Sequence, residues 1–351
     1  VTFNLADRLR PHGFDPVVCT PPGELADWCA EAAIEVLPLS FGRRRPGSYR
    51  AAFATVGRAL AKGDFDLVHA HSSFSGGLVR ARPTLALPVV FQPHAWSFQA
   101  LQGPARRVGV LAERAGARRT DLLVCVSDDE LALGRRNGVY ARREVVIRNG
   151  VDFPDLAPRS LKPPAAPLVG CVARLAPQKG IETLLHAVAA HGWPRGTQVE
   201  IVGDGPSRAE LVALAGRLQV DDRVRFLGRS SQVAEHLTRW DLFVLPANYE
   251  AGVPIALLEA LGAGLPALCT DVADVRAIIR HPIAARDAPG LAGAVAAAIE
   301  DWSATLGDAS ATRAAAARLY SLNAQAERFA AAYRELLDSP RVGIGDSRPG
   351  R

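Results

Sequence analysis

The chain has 351 residues, 48% hydrophobic and 22% charged, an ordinary globular composition with enough length for two domains, each with its own core. No apolar run reaches the ~18 residues a membrane span needs, and no basic-plus-apolar leader resembles a signal peptide. The net charge of +5 is uneven: residues 1–150 carry 20 Arg and Lys against 14 Asp and Glu, and the remainder is close to neutral. With no zinc spacing and no aromatic-interleaved basic stripe, nucleic acid is not an expected partner.

In chain order, VTFNLADRLRPHG opens with Phe3, Leu5 and Leu9 at helical spacing, ending at Gly13. An α/β domain ordinarily begins with a strand feeding such a helix. Val stands first and the chain has no methionine, so a first strand and its loop are expected to be missing. Strands are then expected at 16–19, 35–39, 67–70, 89–92, 122–126 and 145–147, with helices notably over 49–61 and 105–118. FPDLAPRSLKPPAAP, at 153–167, holds five prolines without periodicity and reads as a semi-stiff linker.

A second strand series follows at 168–173, 199–202, 224–227, 242–245 and 267–269. Ala-rich helical patterns close the chain at 289–302, 309–319 and 323–337. This alternation marks parallel βα units, hence an α/β fold of two doubly wound Rossmann-like domains. The expected divisions are 1–155, 156–320, a terminal helix at 321–338 and a disordered tail at 339–351. Cys19, Cys29, Cys125, Cys171 and Cys269 are widely spaced and mostly in apolar runs, so free thiols and a cytoplasmic setting are expected. The Arg runs at 43–45, 106–107, 118–119, 135–136 and 142–143 are ordinarily solvated surface. Their sharper reading is an anionic partner, with peripheral membrane contact through the first domain.

The densest chemical signal is 242–270, read as buried strand, polar loop, short helix, Gly turn and second buried strand. It places Glu250 on the loop and Glu259 on the helix, outside the carboxyl ends of parallel strands, where open α/β sheets bind ligands. Two carboxylates there suit a ligand rich in hydroxyls, such as a sugar nucleotide. Leu257, Leu258 and Leu261 flank Glu259 and argue against a plain surface charge. VARLAPQKGIETLL brings Arg174 and Lys179 to a strand end beside a helix start, a place that favours phosphate. VGDGP supplies Gly203 and Gly205 at another strand-to-helix turn, although Arg208 stands where a dinucleotide fingerprint needs its third glycine.

In the first half, His69, His71 and His94 follow or end consecutive strands. Each alone is as readily a packed core histidine as a functional one, and no carboxylate or Cys stands at metal-ligand spacing. His94 is favoured because Pro93 ends the strand and aims the next side chain outward. Asp128, Asp129 and Glu130 read as the acidic first turn of an N-capped helix.

Taken together, HAH at 69–71, His94, VCVSDDE, RNGVD, RLAPQKGIETLL, GDGP, VRFLG and YSLNAQAERFAAAYRELL resemble the family 4 retaining glycosyltransferases of the GT-B fold, two domains facing a cleft. The resemblance implies a nucleotide-sugar donor on the second domain, an acceptor on the first and a terminal helix crossing back. It implies Arg174 and Lys179 at the donor diphosphate, Glu259 at the ribose, Glu250 at the donor sugar and His94 at a sugar hydroxyl or the reaction centre. No metal or bound cofactor is implied, a UDP- or GDP-sugar being the co-substrate. The acceptor would be a sugar, a lipid-linked saccharide or a small molecule, in cell-envelope, polysaccharide or specialised-metabolite synthesis. The family's proposed retaining route is front-side, the leaving phosphate taking the acceptor's proton.

The chain departs from the pattern in three places. Glu250 and Glu259 stand nine apart where the family has eight, which reads as a one-residue insertion beside Ala251. Ala273-Asp274 replaces a Gly pair. The first strand and Gly-rich loop are the third. A nucleotide-sugar epimerase on a related fold, or a non-catalytic donor-binding subunit, stays open at this point.

Overall fold

The computed structural model describes residues 1–39, 47–82, 85–157, 159–250 and 252–339. The Arg run at 43–45, Ala251 and the expected tail from 340 onward lie outside the described residues. The chain divides into two compact units, Val1–Ile147 with the chain from Gln325, and Arg148–Ala324.

The first unit runs α1 (Thr2–Leu9), β1 (Val17–Thr20), α2 (Glu24–Glu31), β2 (Glu35–Pro38), α3 (Ser48–Lys62) and β3 (Val68–His71). It continues with α4 (Ser72–Arg80), β4 (Val89–Gln92), α5 (Gly103–Ala117), β5 (Leu122–Cys125), α6 (Asp128–Arg136) and β6 (Arg143–Val146). The second unit holds β7 (Leu168–Val172), α7 (Ile181–Ala189), β8 (Gln198–Val202), α8 (Arg208–Arg217), β9 (Val224–Gly228) and α9 (Val233–Arg239). After these come β10 (Leu242–Leu245), α10 (Ile255–Gly262), β11 (Ala267–Cys269), α11 (Ala288–Glu300) and α12 (Trp302–Tyr320). The closing helix α13 (Leu322–Asp338) starts in the second unit and belongs to the first from Gln325.

All strand pairs are parallel. The first unit has a β1-β2 pair and a four-stranded sheet ordered β3-β4-β5-β6. Central β4 (VVFQ) and β5 (LLVC) are buried at every position, as near-continuous apolar runs must be when helices cover both faces. Val90, Leu122 and Val124 pack one face against Leu5 and Leu9 of α1 and Phe329 and Tyr333 of α13. Alternate residues Val89, Phe91, Leu123 and Cys125 pack the other face with Ala52, Val56, Leu78 and Val79 of α3 and α4.

The second unit has one sheet, ordered β11-β10-β7-β8-β9. β7 is central, and Gly170 within it is required: a Cβ there would lie 1.8 Å from the Trp240 ring. α7, α8 and α11 cover one face through Ile181, Leu184, Leu211 and Leu291, and α9, α10 and α12 the other through Leu237, Leu257, Leu261 and Ala316. That is double winding.

The contacts change over at Ile147, before the Pro-rich stretch, because the residues that follow are strapped to the second unit. Val151 N–H donates to Tyr320 O (2.9 Å), and Leu322 N–H donates to Val151 O (3.0 Å). Arg159 donates to Trp240 O and Trp302 Nε1 to Ser160 O. All five cysteines are free, Cys19 exposed and the other four buried.

Candidate functional site

In the second unit, the chain leaves β7 toward β8 and β9, then crosses back to β10 on β7's other side. The order therefore reverses at β7, and the loops leaving β7 and β10 meet at this switch point, which is where open α/β sheets bind ligands. The loop after β7 carries Arg174 and a short 3-10 turn, Pro177–Lys179, before α7. The loop after β10 carries Asn248, Tyr249 and Glu250.

The two loops are stitched together. Asn248 N–H donates to Gln178 O (2.8 Å), Asn248 Nδ2 to Pro177 O (2.7 Å), and Gln178 Nε2 to Tyr249 O (3.1 Å). Gly180, at φ +62, joins turn to helix, and a Cβ there would lie 1.9 Å from Pro246 O. Only glycine fits that approach. The stitching brings Lys179 Nζ onto Glu250 Oε1, while Gln178 Nε2 donates to Glu250 Oε2 (3.2 Å). The Glu250 side chain is 9% exposed and that of Lys179 21%. Burial pushes the Glu250 pKa up, and Lys179 draws it back down.

Gly203 and Gly205 sit in the turn after β8, pressed onto the loop after β7. Cβ atoms there would come within 1.9 Å of Ala173 O and 2.3 Å of Leu175 O. Their absence of side chains is thus needed to close backbone on backbone. Arg174 is exposed and, among the described residues, has no side-chain partner. Glu259 is exposed too. Leu257, Leu258 and Leu261 turn into the core and the helical period carries Glu259 outward, while partial burial of its carboxylate raises its pKa. The structure joins Lys179 to Glu250 and leaves Arg174 and Glu259 open to solvent.

Where the family resemblance calls for a Gly pair, Ala273 takes a left-handed φ of +45, and the Asp274 carboxylate lies 3.4 Å from Arg148 Nη2. The acidic side chain is held by the Arg of RNGVD.

In the first unit the three histidines form one cluster at the carboxyl ends of β3 and β4. His69 and His71 share a face of β3, their ring centroids 3.9 Å apart. His71 Nδ1 lies 3.0 Å from His94 Nε2, and His69 Nδ1 lies 2.6 Å from Tyr333 Oη. His94 is partly buried against His71 rather than aimed wholly outward, because the turn takes φ +54 at His94 and φ +127 at Ala95. Burial lowers all three pKa values, to about 3 for His69 and about 4 for His94, with His71 well below the ordinary range; repulsion from the neighbouring imidazoles adds to it at His69 and His71. The cluster is uncharged at neutral pH.

Beneath it, Trp96 Nε1 donates to Glu130 O (2.8 Å) and Val126 N–H to Glu130 Oε2 (2.7 Å). Ser127 Oγ caps α6 by accepting from Glu130 N–H, as the acidic first turn implies. Burial raises the Glu130 pKa to about 7. Sequence reading missed Gln178, Asn248, Gly180 and Tyr333. The KG pair before a helical run signals Gly180, whereas nothing local signals Tyr333, 264 positions from His69.

The model of the glycosyl transferase 4-like domain matches residues 1–150, and that of glycosyl transferases group 1 matches residues 166–301. EpsF of Bacillus subtilis is 32% identical over 225 residues, covering 60% of this chain and 58% of that protein. The UDP-Gal:alpha-D-GlcNAc-diphosphoundecaprenol alpha-1,3-galactosyltransferase of Escherichia coli is 29% identical over 244 residues, covering 64% of this chain and 62% of that protein. Anabaena Alr3699/HepE in complex with UDP-glucose superposes with a TM-score of 0.79 at 20% identity, covering 95% of each chain. The matched part thus spans about 60% of these relatives' length, and the fold is shared along nearly the whole chain. With both family models matched in chain order on two Rossmann-like units, the chain belongs to the family 4 glycosyltransferases, with the GT-B fold.

Proposed function

We propose that the chain is a retaining glycosyltransferase that takes a sugar from a nucleoside diphosphate donor and passes it to a growing cell-envelope saccharide. The observation that carries this is the Lys179–Glu250 pair at the switch point of the second unit's sheet, beside the start of α7. A donor diphosphate there meets Lys179, Arg174 and the unpaired N–H groups of α7, three sources of positive potential. Lys179 leaves Glu250 for the phosphate, freeing that carboxylate for hydroxyls of the donor sugar. Glu259 accepts from the ribose hydroxyls. Glycines at 203 and 205 keep the floor of the site free of side chains.

As the sugar–phosphate bond breaks, charge grows on the departing diphosphate, and the same cations stabilise it. That arrangement needs no divalent ion. The leaving phosphate takes the acceptor's proton, consistent with a retaining front-side route. His94, neutral at working pH, holds a sugar hydroxyl. UDP-sugars are the favoured donors, since HepE is solved with UDP-glucose and the E. coli relative is named for UDP-Gal. The same relative's diphosphoundecaprenol acceptor supports a lipid-linked saccharide.

The test is a panel of UDP-, GDP-, ADP- and dTDP-sugars scored by thermal shift with the full chain, with and without chelator. A UDP-sugar raises the Tm in both conditions, and NMR of the product shows the donor's anomeric configuration kept. No shift with any donor, or an inverted product, removes the assignment.

A peripheral membrane role is supported by α5. Val108 and Leu111 are 66% and 60% exposed, and Arg107, Arg114 and Arg118 share their face. Such a basic, apolar face suits an anionic lipid surface. The chain should co-sediment with phosphatidylglycerol vesicles, less so at high salt, and Val108→Asp/Leu111→Asp should abolish it. Equal sedimentation with neutral vesicles contradicts the reading.

A further inference from the structure

α13 reaches the histidine cluster through one polar atom. Tyr333 is 3% exposed, and among the described residues its polar contact there is His69 Nδ1, at 2.6 Å. The His69 ring is packed by Phe329 (centroids 5.5 Å) and Tyr333 (5.9 Å), both on α13. Among the described residues its other nitrogen, Nε2, is buried without a partner, so Nδ1 is its one polar anchor there. The His71 ring lies against it at 3.9 Å, and His71 Nδ1 meets His94 Nε2 at 3.0 Å. The His71 and His94 rings are nearly parallel, 16° apart. A neutral imidazole carries one N–H, so whichever ring donates across the 3.0 Å contact fixes its partner's tautomer.

We propose that Tyr333 is a positioning residue for His94: it anchors His69, His71 packs against His69 and engages Nε2 of His94, so that His94 meets its sugar hydroxyl through Nδ1. The second half of this statement rests on the proposed role of His94. The first does not. The left-handed conformations at His94 and Ala95 make this a turn that needs holding from outside, since residues with a Cβ are strained there. His71 supplies that hold at the ring. With all three imidazoles neutral, the network is made of directional hydrogen bonds and stacking rather than charge, so one anchor can set its orientation. The closing helix, far along the chain, thereby has a purchase on the acceptor unit's reactive corner.

The test uses the full chain, 15N-labelled at its eight histidines, with ring nitrogen shifts read by long-range 1H–15N correlation. Tyr333→Phe keeps the apolar ring and removes the hydroxyl. The expected result is a moved Nδ1 of His69 and, with it, changed shifts at Nε2 of His94. His71→Asn retains a polar atom near the place of Nδ1 and should preserve the His94 signature, whereas His71→Leu should lose it. Turnover should fall about tenfold in Tyr333→Phe, the size of one hydrogen bond, with donor affinity unchanged. His94 nitrogens unmoved in both Tyr333→Phe and His71→Leu overturn the proposal. Shifted nitrogens in a chain whose His94→Ala variant turns over unimpaired overturn instead the substrate contact of His94.

Discussion

The two units place their candidate chemistry at equivalent positions, the carboxyl ends of parallel strands, and build it from opposite materials. The second unit uses charge: Lys179 on Glu250, Arg174 and Glu259 open to solvent, and a helix start. The first uses neutral rings: three imidazoles and a phenol in hydrogen-bonded and stacked contact, with lowered histidine pKa values. A diphosphate needs cations that are ready before it arrives. A sugar hydroxyl needs directional partners and no net field. On the proposed function, the same sheet geometry would serve two ligands through the side chains at its strand ends.

The comparison breaks first at the hinge of the charged site. Gly180→Ala puts a Cβ 1.9 Å from Pro246 O in a left-handed turn, so the loops after β7 and β10 must separate. We expect a loss of about 2–3 kcal/mol in denaturant unfolding and of donor-induced stabilisation. A variant as stable as the parent, still shifted by donor, would show that this close approach is not required.

Acid should strike the neutral cluster. A histidine whose folded pKa is lowered contributes stability above its unfolded value of about 6.5, and that contribution is lost as pH falls toward the folded value. His69 and His94 should each lose about 2 kcal/mol by pH 5, with His71 acting in the same direction. Glu130 acts oppositely. Its folded pKa of about 7 lies above the unfolded value, so its contribution is present at low pH and lost as pH rises through 7. It therefore offsets about 2 kcal/mol of the acid loss. Tm measured from pH 7.5 to 5 should fall more steeply in Glu130→Gln than in the parent; parallel curves would contradict the balance.

Strand positions were legible because parallel strands buried on both faces must be apolar runs, as in VVFQ, LLVC and LFVL. Helix starts were legible where a side chain caps them, as at Ser127. The Arg/Lys loop, Glu250 on a loop and Glu259 on a short helix were legible as types, since their spacing ties them to strand ends. What they touch was not. The Lys179–Glu250 pair spans 71 positions and depends on a backbone bond between Asn248 and Gln178 that no side-chain pattern encodes. The direction of the Glu259 side chain was not legible either, because helical neighbours point in different directions. Tyr333 was invisible because α13 returns to β3 only through the fold.

On the proposed function, donor binding belongs to the charged site and leaves the histidines out. Isothermal titration of the full chain with UDP tests it most directly. Lys179→Ala and Arg174→Ala should each weaken binding by about 1.5–3 kcal/mol, Glu259→Ala by somewhat less, and His94→Ala not at all. UDP affinity that survives loss of Lys179 and Arg174, or that falls with His94, would contradict it.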